Sequence, residues 1–200
     1  MKLAGSHTRR DEHVLACTPI RSDAPCRYAP DPDGSYILGP CSHDRTLSLA
    51  VSPADSSLLA VAGWPSLLDN GGSERVWLSR DAGGTYADVT KNLRAATATI
   101  GQARPSALLL LPLPKLNATA LLVGTVNGVL AARVAAGGGT ITTWQRLGAC
   151  AQLPLVLVAG LSYQPVSDTL VAATMGRGVY AVHHASELLE ALFRVPLTAL

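Results

Sequence analysis

Aromatic side chains are scarce in this chain: Phe, Tyr and Trp make up 4% of 200 residues. Stacking platforms for bases or sugars are therefore few. Charge is scarce too. Charged residues amount to 15% with a net charge of +2, and the basic ones are scattered rather than gathered into a stripe. No nucleic-acid partner and no acidic membrane surface is expected from that balance. Long apolar runs are also missing, because "SALLLLPLPKL" and "LPLVLVAGL" carry Pro and fall far short of the ~20 residues that span a bilayer. Residues 1–16, "MKLAGSHTRRDEHVLA", are interrupted by charges and lack the apolar core of about 7–15 residues that a signal peptide needs. The expectation is a soluble chain without membrane insertion, exported only if a leader lies upstream.

Ligand sets for metals and cofactors are absent in the same way. Cys17, Cys26, Cys41 and Cys150 lack the close-pair spacing of a zinc site. They suit disulfides if the chain is exported and thiols if it is not. His7, His13, His43, His183 and His184 show no metal-ligand spacing, and the adjacent pair would point to opposite faces of a strand. "AAGGGT" (135–140) has no following Lys or helix, so it reads as a hairpin and not a phosphate cradle. No metal and no cofactor is expected.

What is present is apolar residues, 48% of the chain, enough to exclude a disordered protein. Residues 1–44 are rich in Pro, Asp, Ser and Cys and read as an irregular segment with one short strand at "SYILG". From Leu47 the texture becomes short runs of Val, Leu, Ala and Thr broken by Gly, Pro, Asn and Asp, which is all-β. Residues 186–200 form a short helical tail, with "SELLEALFRVPL" as the helix, Ser186 as N-cap and Pro196 as the stop.

Three segments repeat one plan. "LSLAVSP", "SALLLLPLP" and "VAGLSYQP" each end in Pro. Each is followed by a hairpin return: "SSLLAVAG", "TALLVGTVNGVLAARV" and "DTLVAATMGRGVYAV". An aromatic-bearing strand closes the first two units and is missing from the third. A repeat of roughly 50–60 residues fits a four-stranded blade. The predicted fold is an all-β propeller of antiparallel four-stranded blades, incomplete, spanning 45–185 as blades at about 45–93, 94–150 and 151–185. Near-continuous apolar strands are expected because both faces of a blade are covered.

"SRDAGGTY" (79–86) resembles the Asp-box or BNR repeat, Ser-x-Asp-x-Gly-x-Thr-Trp. Ser79, Asp81, Gly83 and Thr85 match, and Tyr86 stands for the Trp. "LLVGTVNGVLAA" and "LVAATMGRGVYAV" resemble the middle hairpins of such propellers, so the likeness covers about residues 45–183. The family includes sialidases, xyloglucanase-like glycoside hydrolases and sortilin-type receptors, so the resemblance implies fold far more than activity. The second repeat keeps Trp144 but no Asp, and about three blades stand where closed propellers generally have four or more. Residues 1–44 supply further strands, or the chain is a fragment, or another chain completes the blades.

The resemblance implies that the box joins the third and fourth strands, on the rim away from the ligand face. Tight-turn chemistry alone accounts for each matching position: Asp81 accepts from turn N–H groups, Gly83 and Gly84 supply positive φ, Ser79 or Thr85 adds a hydroxyl, and Tyr86 packs below. The candidate ligand-binding residues then lie on loops of the other face: Trp64, Asp69, Asn70, Glu74 and Arg75 in "GWPSLLDNGGSER", Asn127 in "TVNG" and Arg177 in "TMGRG". A sialidase would need an arginine cluster and a Tyr–Glu pair. "FRVP", with Arg194, resembles one such arginine motif but follows the repeats instead of preceding them. Another glycoside hydrolase would need two carboxylates roughly 5–10 Å apart, and Asp44, Asp69 and Glu74 are the loop candidates. "NAT", at Asn117, is a glycosylation sequon that counts only on export. The function these readings favour is a non-catalytic binding or scaffold module that engages a protein or glycan through axial loops. The alternative is a fragment of a sialidase- or xyloglucanase-like glycoside hydrolase.

Overall fold

The structure is a computed structural model. It describes residues 29–30, 36–37, 45–64, 75–90, 92–93, 105–136, 141, 143–148, 153 and 155–194, with backbone alone for 29–30, 36–37, 45–46 and 64. Thirteen strands are described. β1 (Ala29–Pro30) and β2 (Tyr36–Ile37) make a small hairpin. Blade 1 is a meander of β3 (Arg45–Val51), β4 (Leu59–Trp64), β5 (Arg75–Ser79) and β6 (Ala87–Asp88). Blade 2 repeats it with β7 (Ala107–Leu113), β8 (Ala118–Thr125), β9 (Gly128–Ala135) and β10 (Gln145–Arg146). Blade 3 has three strands, β11 (Val158–Gln164), β12 (Thr169–Thr174) and β13 (Gly178–His183). The fold is all-β, built of consecutive antiparallel blades as the repeats predict. No fourth strand pairs β13 among the described residues, in line with the third repeat's missing closing segment.

Each blade has a leading face, turned towards the blade before it, and a trailing face. The trailing face of blade 1 (Ala50, Ala60, Ala62, Val76, Leu78) packs on the leading face of blade 2 (Leu108, Leu110, Leu121, Val123, Leu130) in one core. The trailing face of blade 2 (Leu111, Leu113, Ala120, Leu122, Val129) packs on Val158, Leu170 and Ala172 of blade 3 in a second. Alternation along the strands of blade 2 therefore feeds two different cores, and those strands read as continuous apolar runs because both faces are covered, whereas β11 and β13 leave alternate residues exposed.

Hydrogen bonds stitch the blades. The Leu108 N–H donates to Ser48 Oγ at 3.0 Å, joining the first strands of blades 1 and 2. Trp144 Nε1 donates to the Val89 carbonyl at 2.9 Å, and the Trp144 N–H donates to Asn92 Oδ1 at the same distance. Ser106 Oγ donates to the carbonyls of Gly124 and Val158. Close approach there needs Gly124, since a Cβ on it would lie 2.9 Å from Val158 Cγ1.

Helix α1 (Ala185–Arg194) follows β13 almost directly. Ala185 and Leu189 are buried in the second core, with Leu188, Leu192 and Phe193 packed beside them, an apolar stripe at helical spacing. The expected N-cap at Ser186 is corrected. The helix starts one residue earlier, and His184, at φ 54°, breaks the strand before it. Asp168, from the β11–β12 turn, does the capping: its Oδ1 accepts from the Ser186 N–H at 2.9 Å and its Oδ2 from Ser186 Oγ at 2.8 Å. His183 alone lies on the strand, so the two histidines do not form the strand pair expected of them. The end of the predicted helix at Pro196 lies outside the described residues.

Candidate functional site: a pocket where the first strands end

The prolines that close the first strand of each repeat converge. Pro53, Pro112 with Pro114, and Pro165 line one pocket of about 640 Å³ at the ends of β3, β7 and β11. That is a volume suited to a small ligand or a few side chains. Val51, Leu109 and Leu110 give it an apolar wall, Ala54 stands at its β3–β4 turn, and Tyr163, Asp168 and Ser186 supply its polar side.

Those polar groups are fixed. Tyr163 Oη donates to Asp168 Oδ1 at 2.9 Å, so one carboxylate ties β11 to the start of α1. Burial disfavours the Asp168 charge, but the Ser186 N–H, the Ser186 hydroxyl, the Tyr163 hydroxyl and the nearby His184 together hold its carboxyl below the usual range. Burial first, then the Asp168 hydrogen bond and charge, push the Tyr163 phenol up to about 12. Asp168 adopts φ 47°, a left-handed conformation that Asp tolerates better than most residues.

The "SRDAGGTY" segment lies between β5 and β6, on the same rim as the pocket, since β3 and β5 run the same way. The Ala82 N–H donates to the Ser57 carbonyl of the β3–β4 turn at 2.9 Å. Asp81 Oδ1 accepts from Ser79 Oγ at 2.8 Å and from the Thr85 N–H at 2.8 Å, and Oδ2 accepts from Thr85 Oγ1 at 2.7 Å. Ser79 Oγ also accepts from the Gly83 N–H at 2.8 Å. The Thr85 N–H, its hydroxyl and the Ser79 hydroxyl hold the Asp81 carboxyl below the usual range despite some burial. Gly83 takes φ 93° as expected, but the second left-handed residue is Ala82, at φ 55°, and not Gly84. Gly84 is needed for space instead, because a Cβ there would sit 3.0 Å from Asp81 Oδ2. Tyr86 packs on Leu59, Val61 and Trp77, and burial, with Asp81 adding to it, raises its phenol pKa.

The loop residues favoured by the sequence fare differently. Asp44, Asp69, Asn70 and Glu74 lie outside the described residues, as does the side chain of Trp64. Arg75 reaches Asp88 at 3.4 Å across the same blade. Asn127 and Arg177 lie in the β8–β9 and β12–β13 turns, at the strand ends opposite the pocket. Both turns are tied to one segment: the Gly128 N–H donates to the Val156 carbonyl and the Met175 N–H to the Leu157 carbonyl. Arg177 is exposed, between Gly176 at φ 85° and Gly178 at φ 75°. Arg194 ends α1 and is exposed, and Asn117 is exposed at φ 45° in the β7–β8 link.

Sequence reasoning missed Tyr163 and Asp168. The recurring Pro was visible, but nothing local said that the three would meet. Among the described residues no group of three or more His, Cys, Asp or Glu is placed to hold a metal, and no helix is long and apolar enough to cross a membrane.

No family model matches the chain, and no curated protein does. Among solved structures it is similar to the Niastella koreensis GH74 enzyme, with 18% identity, a TM-score of 0.45, and 68% of this chain and 21% of that one covered. It is also similar to Sqt1 from Chaetomium thermophilum, with 16% identity, a TM-score of 0.43, and 70% of this chain and 33% of that one covered. The chain thus spans about a fifth and a third of those two chains. Likeness at this level is too loose to transfer an activity.

Proposed function

We propose that the chain is a non-catalytic binding or scaffold module, and that it engages an apolar segment of a protein partner at the pocket where β3, β7 and β11 end. The observation that carries the reading is the convergence of the repeat's own prolines, with Val51, Leu109 and Leu110, on one open pocket. Pockets with apolar walls and a few fixed polar groups are where ligands bind. A protein segment suits these walls better than a glycan, which would need more hydrogen-bonding groups and aromatic platforms.

A glycoside hydrolase reading needs two carboxylates facing one bond. Asp168 is the one carboxylate among the described lining residues, and its oxygens are taken up by Tyr163 and Ser186. In this reading Asp81 pins a turn, because its partners are all groups of residues 79–85. The edge strand β3 of blade 1, with Leu47, Leu49 and Val51 exposed, is where another chain would complete the blades.

Peptide display and a glycan array, each run with wild type, Ala54→Trp and Arg177→Ala, test the reading. Ala54 is exposed at the pocket mouth, so Trp there fills the pocket without entering a core. Selected peptides should be lost with Ala54→Trp and kept with Arg177→Ala. Glycan hits in place of peptides, or loss confined to Arg177→Ala, would move the site to the opposite end of the blades.

A further inference from the structure

We propose that the pocket selects a ligand in which an apolar body adjoins a cationic group; in a protein partner this is an apolar side chain beside a Lys or Arg. The inference rests on the pocket being the binding site, as proposed above, and adds the charge of what enters it. The walls contributed by Val51, Leu109 and the prolines carry no charge, and no Lys or Arg is among the described residues lining the pocket. Asp168 is the one carboxylate there.

Three donors hold that carboxylate in place: the Tyr163 hydroxyl, the Ser186 N–H and the Ser186 hydroxyl. All three are uncharged and orient the carboxylate; the start of α1, which it caps, and the nearby His184 offset its charge in part. Among the described residues no Lys or Arg forms an ion pair with it. Lys115, on the neighbouring 3-10 turn Pro114–Leu116, turns to Glu187 and Glu190 of α1, at 3.5 and 3.9 Å. A fixed negative charge beside low-dielectric walls focuses its field into the opening. An anionic ligand meets repulsion there, a neutral one gains the walls alone, and a cation gains both. Because Asp168 is already held by its donors, little side-chain ordering remains to be done on binding.

Three probes of one shape separate these terms: 3-phenylpropylammonium, 3-phenylpropanol and 3-phenylpropionate, titrated at neutral pH and followed by NMR shifts of the pocket residues. The ammonium probe should bind about ten-fold more tightly than the propionate, the scale of one partly exposed charge interaction, with the alcohol between them. In Asp168→Asn the ammonium and the alcohol should bind within about two-fold of each other. Asn tolerates the left-handed backbone at this position and can still accept from Ser186, and retained alcohol binding reports that the pocket is intact. Should that variant fail to fold, the wild-type comparison alone decides the matter. An ammonium probe no tighter than the alcohol in wild type, or an unchanged preference in Asp168→Asn, overturns the charge inference and leaves the pocket standing. Binding that survives Ala54→Trp, or no binding of any probe, overturns the pocket itself.

Discussion

Blades 1 and 2 follow one plan and differ in what covers the leading face of their first strands. Two and four residues before the repeat's Pro, blade 2 has Leu110 and Leu108, exposed by 1% and 6%. The matching residues of blade 1 are Val51 and Leu49, exposed by 43% and 59%. Leu108 and Leu110 pack on blade 1 in the first core. On the matching face of blade 1, Leu59, Val61 and Trp77 are buried with Tyr86 packed against them, and the first strand is left exposed at Leu49 and Val51. Stability in such a chain is held in the interfaces between successive units. The same contrast bears on where a partner could sit: covered faces hold the blades together, while the strand ends and the exposed residues of β3 are open.

Substitution at the paired positions sharpens the comparison most. Leu110→Ala should cost about 2–5 kcal/mol by denaturant unfolding, whereas Leu49→Ala should stay within about 0.5 kcal/mol. Equal costs would mean that Leu49 is covered in solution. The interface between blades 2 and 3 can be broken from the glycine side. Gly124→Ala drives a Cβ to within 2.9 Å of Val158 Cγ1 and 3.2 Å of the Ala107 Cβ, and overpacking of this kind costs about 1–3 kcal/mol.

A smaller effect belongs to the turn between β5 and β6 of blade 1. Asp81→Ala removes acceptors from the Thr85 N–H and from two hydroxyls, at about 1–2 kcal/mol for a partly exposed site. The folded carboxyl sits below its ordinary value, so its contribution is present above the unfolded pKa and disappears as pH falls through the folded one. The stability difference between wild type and Asp81→Ala should therefore close in acid.

Tyr163 gives the smallest effect and the opposite sign. Its folded pKa of about 12 lies above the unfolded value near 10. Its contribution is then complete below pH ~10 and is lost as pH rises towards ~12. Phenolate absorbance should show a titration near pH 12 in wild type that is missing from Tyr163→Phe, while the raised titration of Tyr86 stays in both. An early titration at that position would deny the Asp168 contact.

The blades were legible in the sequence because their signals are local. Short apolar runs and turn residues marked β3–β5, β7–β9 and β11–β13, and the third repeat, without a closing segment in the sequence, has three strands among the described residues. The matched positions of "SRDAGGTY" were legible for the same reason, down to Gly83 at positive φ. Gly84 was misjudged because its constraint is the space left by Asp81 Oδ2, not its own backbone. The pocket was not legible. Pro53, Pro112 and Pro165 are separated by more than fifty residues each, and Asp168 gains its role by capping a helix that starts 17 residues later. Contacts of that range have no local signature, and loop logic therefore pointed to Asn127 and Arg177, at the opposite strand ends.

The contrast between covered and open first strands can be measured directly from Leu and Val methyl NMR spectra with a soluble paramagnetic agent. The methyls of Leu49 and Val51 should broaden strongly, while those of Leu108, Leu110 and Leu121 stay sharp. Protection of both sets would show that β3 of blade 1 is covered, and broadening of both would show that blades 1 and 2 do not pack. Either result would contradict the account.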